Sequence, residues 1–473
     1  YYNFPCICED RGLYITVFPL FSSLTRTIRE RGITAVLDGL LSKRRSHGFV
    51  RAVFPDFFSE TSDIDELVIP RFFDEISRYE ADINFSLPSD ELYQDTPLQK
   101  VYFPNTVGKK FLVDFPEAGL LYAKISHTKR FISLLKGDKE RKKGAQEDLW
   151  KVGDFSLFCC SDLCQHGNDG QYPGSANAPL RNAAYKAMLE VERRTTREWH
   201  GWVPSLVSRD FDFDGALEYL FQGALVNCFV RQRGAAVFEL DYLPAAWNYQ
   251  NTIALATQIP RETESSFYDI IAPQNCTGNG EDAAPATVRR LGTEIWRQDD
   301  IDRKHLRIDF RLPARENGPW AALESHKEYK LCDNTLTVRY KLINTDAKQL
   351  NFSFITRLNL SFADDKDKML RIFAYDTWQS FNNTSEKRPI ALTSTGIQQV
   401  EAIDFQDINN ELIVNVSSDS AFDSVIKQFS APYKNALGEI IDQYQWTSIW
   451  PRKQITLNAG ATTEFVFKVE FFK

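Results

Sequence analysis

Apolar and polar residues alternate from Val226 to Arg231, where Val226, Cys228 and Val230 are interleaved with Asn227, Phe229 and Arg231. They alternate again from Val237 to Leu243 around Glu239 and Asp241. Gly234 lies between the two runs, and two alternating runs joined by a short Gly-containing segment predict a β-hairpin. Upstream the pattern is mixed. Leu13–Leu20 and Phe49–Phe54 read as strands, the latter apolar apart from Arg51, and Ile83–Leu87 and Val101–Phe103 add two more. Ser22–Arg31, Val36–Leu41 and Pro70–Tyr79 carry helical spacing, and strands alternating with helices point to βα units and a parallel sheet. Leu180–Arg197 has apolar residues at helical spacing with a polar opposite face, which predicts an amphipathic helix. The charged run at 136–143 reads as a solvated loop.

Downstream of the hairpin nearly every apolar run has period two or is rich in β-formers. Leu306–Leu312, Leu336–Asn344, Leu350–Leu360, Leu412–Val416 and Phe465–Phe471 are the clearest, with Glu264–Ile271 and Leu370–Ala374 weaker. Turn residues separate them, a density that predicts a large antiparallel β-sandwich. The chain of 473 residues is long for one domain. It divides by pattern into an α/β segment at 1–135, a helical region at 136–208 and the β-sandwich at 209–473, an α/β plus all-β fold class.

Composition narrows the function classes. Hydrophobic residues make up 43% of the chain and aromatics 13%, enough for packed cores rather than disorder. The formal net charge of −8 gives no basic surface for nucleic acid. No apolar run reaches the length of about 20 residues that a membrane span needs, and no signal peptide opens the chain, so a cytoplasmic protein is expected. The eight cysteines are sparse for a disulfide scaffold. Cys159, Cys160 and Cys164 lack a matching downstream Cys or His pair, so no zinc site or other metal is expected. No GxGxxG, P-loop or HExxH signature is present, and no cofactor is expected. The sequons at Asn275, Asn351, Asn359, Asn382, Asn383 and Asn415 carry no implication of glycosylation by themselves.

Several stretches, in order, resemble glycoside hydrolase family 57, with 4-α-glucanotransferases and related α-amylases nearest in pattern. RDFDFDGALEYL from Arg209, the following alternating strand, FELDY and Trp247-Asn248 resemble the start of that family's C-terminal β-sandwich. YITVFPL (Tyr14–Leu20) resembles one of its barrel segments, and RFFDEIS (Arg71–Ser77) the helix after its catalytic-acid loop. KVYFPN (Lys100–Asn105) resembles its Tyr-Leu-Pro strand end. The segment from Gln165 through QHGNDGQYPG and LRNAAYKAML resembles its Trp-His-Gly segment and the helix after it. Trp199-His200-Gly201 spells that tripeptide outright, but too close to Asp212 for a helix to intervene, so the role falls on His166-Gly167. The resemblance implies that 1–135 is a partial (β/α) barrel, that α-glucan or maltooligosaccharide is the partner, and that chemistry is retaining glycosyl transfer.

Retaining chemistry needs two carboxylates about 5–5.5 Å apart, one nucleophile and one acid/base. The resemblance places the nucleophilic Glu upstream of YYNFP, before this sequence begins. It places the second carboxylate after the strand matching Val50–Phe54, which here runs straight into PDFFSETSDIDE, with Asp56 nearest and Glu60 next. The aromatic platform of the Trp-His-Gly segment is replaced by Gln165. Asp56 is therefore the one catalytic candidate, with His166, Asp169 and Tyr102 as substrate contacts. Glu239 and Asp241 read as structural. The expectation is a family-57-like homologue, catalytically degenerate and kept as a carbohydrate-binding or structural scaffold. The alternative is the C-terminal part of an active retaining 4-α-glucanotransferase or α-amylase. Enzyme activity and homo-oligomerisation are left open.

Overall fold

A computed structural model describes residues 6–10, 13–17, positions within 34–41, 68–79, 87, 99–100, 116–135, 138–152, 178–197, 202–251, 265–276, 284–364, 368–377, 387–434 and 440–472. The chain forms two compact units, Tyr1–Lys109 with Lys434–Ile441, and Lys110–Tyr433 with Asp442–Lys473.

In the first unit, β1 (Cys6–Asp10) and β2 (Leu13–Val17) pair antiparallel, and β3 (Gln99–Lys100) lies parallel on the other side of β1. A parallel neighbour needs a crossover connection, and helix α1 (Val68–Ser77) lies between these strands in sequence. Of the earlier expectations, Leu13–Leu20 is seen as β2 and Pro70–Tyr79 as α1. The strands at Phe49–Phe54 and Val101–Phe103, and the helix at Ser22–Arg31, lie outside the described residues.

The second unit opens with three helices, α2 (Pro116–Leu134), α3 (Lys139–Val152) and α4 (Ala178–Thr195). They share a core of Leu121, Ile132, Ala145, Leu149, Met188 and Val191. Helix α4 follows the predicted spacing. From Lys139 on, the solvated loop expected at 136–143 is instead the start of α3, which corrects that reading. Asp138 caps it, its Oδ1 accepting the Arg141 backbone N–H at 2.8 Å. One face then buries Ala145, Leu149 and Val152. The charged residues are the helix's outer face: Lys143 faces Glu147 at 3.8 Å, and Asp148 holds Lys151 and Arg194 at 2.8 and 2.6 Å. A charge run reads as a loop only until the apolar residues beyond it are counted at intervals of three and four.

The rest of the unit is antiparallel sheet. A five-stranded sheet runs in chain order through β4 (Ser205–Arg209), β5 (Glu218–Gln222), β6 (Val226–Arg231), β7 (Ala236–Tyr242) and β8 (Trp247–Asn248). β6 and β7 are the predicted hairpin. Gly234 sits in its turn at φ +73°, where a Cβ would meet the Gly292 carbonyl oxygen at 2.5 Å, so the turn takes glycine on both counts. A bulge shifts the register between Phe229↔Glu239 and Val230↔Val237. The hairpin is buried on both faces. Val226, Cys228, Val230, Val237 and Leu240 join the main core, while Phe229 and Phe238 pack with Phe211 and Ala123 of α2.

The main core belongs to a fourteen-stranded sheet assembly, β9 (Tyr268–Pro273), β10 (Arg289–Arg290), β11 (Arg297–Asp302), β12 (Arg307–Leu312), β13 (Leu323–Cys332), β14 (Thr335–Asn344), β15 (Leu350–Leu360), β16 (Leu370–Tyr375), β17 (Lys387–Ile390), β18 (Ser394–Asp407), β19 (Leu412–Lys434), β20 (Ile440–Ile449), β21 (Arg452–Leu457) and β22 (Thr462–Phe472). β13 and β14 bury every second residue, one side in and one side out, as the period-two pattern predicts. β15 is buried on both faces from Phe352 to Leu360. The chain is thus a mixed α/β and β-rich fold, and no described helix is long and apolar enough to cross a membrane.

Candidate functional site

Asp56, Tyr102, His166 and Asp169, the four residues singled out for catalysis and substrate contact, lie outside the described residues, as do Gln165, Trp199 and Trp378. The frame that the described residues give lies downstream of the His166 segment in sequence, where the first turn of α4 is fixed by Arg181. Its guanidinium, 2% exposed, donates to Asn251 Oδ1 at 2.9 Å and to Gln445 Oε1 at 2.9 Å. Asn251 in turn donates to Asn182 Oδ1, and the Ala178 N–H reaches Gln443 Oε1 at 3.3 Å.

Further along, α2 and α4 are joined to the hairpin by a buried charge cluster. Lys124 of α2 is fully buried. Its ammonium lies 2.6 Å from Glu239 Oε1, 2.8 Å from Asp241 Oδ2 and 3.8 Å from Glu192 Oε2 of α4. Arg197 closes the other side, donating to Glu192 Oε1 at 2.7 Å and to Asn227 Oδ1 at 2.5 Å. Asn227 donates to both Glu192 and Asp241. Burial works against the charge of Lys124, but Asp241, Glu239 and Glu192 outweigh it and hold the ammonium above its ordinary value. Burial acts on Glu192 too, yet Arg197 and Lys124 push its carboxyl down to about 2. Glu239 is raised by burial and by the Asp241 charge, against the pull of Lys124. His127, one turn beyond Lys124, is pushed down to about 3 by burial and by the neighbouring Lys124, Arg209 and Arg130 charges, so its ring is neutral.

This cluster cannot receive a substrate, because Lys124, Glu192 and Asp241 have no exposed surface and Glu239 is 3% exposed. Its chemistry is that of a lock between helices and hairpin, in line with the structural reading of Glu239 and Asp241. Sequence reasoning missed Lys124 and Glu192. The available signal was a pair of acids on an otherwise apolar strand, which demands a buried cation nearby.

Three carboxylates in RDFDFDGALEYL come together next to this frame. Asp210, Asp212 and Glu218 each bring an oxygen within 4.8 Å of the others, an arrangement able to hold a cation. Glu218, 3% exposed, accepts the Phe211 N–H at 2.7 Å, and Gly215 donates to Asp210 at 3.2 Å. Burial raises the Glu218 carboxyl to about 7 against the Phe211 bond, with Asp212 and Asp214 adding to the rise.

Two tryptophans of the β-rich region, whose rings could stack on a sugar only if exposed, are packed. Trp446 is 5% exposed and stacks on Phe429 at 4.9 Å, and Trp450 is 3% exposed. Trp202 lies under the Arg197 guanidinium at 4.5 Å. The sequon asparagines Asn359 and Asn415 are buried in strands, which leaves no room for a glycan.

No protein-family model matches the chain, and no curated protein matches it in sequence. Among solved structures, 99% of the chain superposes on 75% of a 4-α-glucanotransferase from Thermococcus litoralis, with a TM-score of 0.68 and 16% identity. A putative aldose 1-epimerase from Escherichia coli K12 covers 55% of the chain, and 99% of its own, at a TM-score of 0.39 and 11% identity. A galactose mutarotase-like protein from Clostridium acetobutylicum covers 57% of the chain, and 98% of its own, at 0.39 and 9%. The two partial overlays are too loose to bear on the fold; the first establishes that this chain, nearly end to end, has a fold similar to that of a 4-α-glucanotransferase.

Proposed function

We propose that this chain is a homologue of the family-57 4-α-glucanotransferases and α-amylases, catalytically degenerate and retained as an α-glucan-binding or scaffolding protein of carbohydrate metabolism. The observation that carries the reading is the likeness of fold along 99% of the chain, joined to motifs that occur in the family's order. In this reading 1–135 is a partial barrel, 136–208 a helical region and 209–473 a β-sandwich. Degeneracy is supported by the sequence where the acid loop should stand: the strand ending at Phe54 passes directly into PDFFSETSDIDE, and Gln165 replaces the stacking Trp. The substrate-contact roles of His166, Asp169 and Tyr102 belong to the same reading.

The test is incubation of the purified chain with maltoheptaose, followed by chromatography and, separately, by thermal unfolding with and without the sugar. No redistribution of chain lengths is expected, while the unfolding midpoint rises with millimolar maltoheptaose. That rise disappears in His166→Ala. Redistribution that Asp56→Asn abolishes overturns degeneracy and makes the chain an active retaining enzyme. Absence of both redistribution and shift overturns the carbohydrate reading.

A further inference from the structure

β11 is an edge strand. Among the described residues it pairs with β12 alone, antiparallel from Arg297↔Arg311 to Asp302↔Arg307, with a bulge between Gln298 and Asp300. Its side chains are exposed from Arg297 to Asp300 and half-buried at Ile301 and Asp302, so little apolar burial holds it down. Its two ends are fixed. Trp296, just before it, is fully buried and donates its ring N–H to the Leu291 carbonyl at 3.1 Å. Asp302, at its close, accepts the Lys304 and His305 backbone N–H groups, each at 3.1 Å. A strand pinned at both ends and weakly held between them can open without unfolding the sheet behind it.

A row of charge crosses the middle of this strand. Asp300 stands directly opposite Asp309 of β12, and Asp309 directly opposite Glu328 of β13. Like charges facing each other across strands repel. One guanidinium answers all three, Arg307 lying 2.5 Å from Asp300, 2.6 Å from Asp309 and 3.2 Å from Glu328. Next in the row is Arg339 of β14, 3.6 Å from Glu328 and also facing Glu464 at 3.9 Å. Arg311, the other cation on this face of β12, is turned to Glu324, which also takes His326. The middle carboxyl, Asp309, is raised to about 6 by burial against the pull of Arg307, with Glu328, Asp300 and Asp299 adding to the rise.

Two of those acids belong to β11. When the strand lifts, Asp299 and Asp300 leave and Asp309 regains water, while Arg307 and Glu328 stay behind on β12 and β13. The closed strand thus favours a protonated Asp309 more than the open one does. A carboxyl raised in the closed state favours closure most at low pH and loses that contribution as pH rises through its closed-state value.

We propose that β11 is a proton-controlled edge strand, closing on β12 when Asp309 carries a proton and loosening when Asp309 is ionised. The inference rests on strand register and charge, so it stands or falls apart from the carbohydrate reading.

The experiment is hydrogen–deuterium exchange of the full chain at pH 5 and pH 7.5, with rates corrected for intrinsic exchange at each pH. Protection across Arg297–Asp302 is expected to fall at least about threefold between the two, with β14 and β22 unchanged. Asp309→Asn keeps the pH 5 protection at both values. Asp300→Asn, at an exposed position, shows a smaller fall than the native chain, and decides the matter if Asp309→Asn perturbs folding. The proposal is overturned if protection of β11 is constant or rises with pH, or if β14 and β22 lose protection by the same factor. It is overturned equally if the folded Asp309→Asn chain, or Asp300→Asn in its place, shows the full native fall.

Discussion

Two lysines of the second unit are equally shut off from water, and their surroundings push their protonation in opposite directions. Lys124 and Lys327 are both fully buried. Lys124 faces three carboxylates, and its ammonium is held above the ordinary value. Lys327, on β13, has one, Asp269 at 2.8 Å, with backbone carbonyls of Phe267 and Gly234 at 2.6 and 3.3 Å. The rest of its surroundings is aromatic, with Tyr329, Tyr340 and Trp296 ring centres 5.5 to 5.8 Å away. There burial prevails over the Asp269 charge, and the ammonium is depressed. Burial alone therefore does not decide the charge state of an interior lysine; the count of carboxylates does. The first lysine ties helices to a hairpin by charge, and the second ties β13 to Asp269 and the Phe267 carbonyl inside a sheet core.

The sharpest way to break the comparison is to remove each ammonium and keep its length. Lys124→Met strands Glu239 and Asp241 without their cation, while Glu192 keeps Arg197. Breaking a buried ion network in this manner costs about 3–5 kcal/mol, read as a fall in the urea midpoint. Lys327→Met strands only Asp269, which still accepts the Tyr340 hydroxyl at 2.9 Å. Its loss is expected to be about 2–3 kcal/mol at neutral pH. Both deficits should ease on acidification, since each lysine opposes carboxyls that burial raises. Burial already holds the Asp269 carboxyl above its ordinary value, and Lys327 is what opposes that. Without the lysine the carboxyl rises further. A carboxyl raised in the folded state favours folding most below its unfolded pKa and loses that contribution as pH rises through the folded value. The Lys327→Met deficit therefore shrinks as pH falls from 7 toward 5. Equal deficits for the two lysines at neutral pH would refute the carboxylate-count argument.

The same contrast explains what the sequence could reveal. The α4 helix and one-sided strands such as β12 and β14 were legible, because one face meets a core and the other meets water; the hairpin, buried on both faces, showed through its alternation and the Gly234 turn. Helix α2 was not. Its buried positions include Lys124, His127 and Thr128, so no apolar stripe marks the face that packs. β7 is buried at every position, yet carries Glu239 and Asp241, whose cation, Lys124, lies more than a hundred residues upstream. No local spacing can announce such a pairing. Asp56, Tyr102, His166 and Asp169 came from the family resemblance, and their geometry lies outside the described residues.

The smallest expected effect tests the bookkeeping of charge inside the Lys124 cluster. It holds two cations, Lys124 and Arg197, and three carboxyls, Glu192, Glu239 and Asp241. Fully ionised, it would bury one uncompensated negative charge. Glu192 is secured as the carboxylate by Arg197 and Lys124, so a neutralising proton belongs to the Glu239–Asp241 pair, where both carboxyls are raised by burial. Glu239 Oε1 takes the Lys124 ammonium at 2.6 Å, while Asp241 Oδ1 is a buried acceptor without a hydrogen-bond partner. A proton on Glu239 shared toward Asp241 supplies that acceptor with a donor. Glu239→Gln makes that state permanent, with an amide in place of the protonated acid. Its cost at pH 7 should stay within about 1 kcal/mol, far below that of Lys124→Met. It should also remove pH dependence: the raised Glu239 carboxyl favours folding most below its unfolded pKa and loses that contribution as pH rises through its folded value, whereas the amide does not titrate. The variant should therefore gain on the native chain in urea melts as pH rises from 6 to 9. A loss as large as that of Lys124→Met, with the same pH profile as the native chain, would show that Glu239 is needed as a carboxylate and that the cluster keeps its excess negative charge.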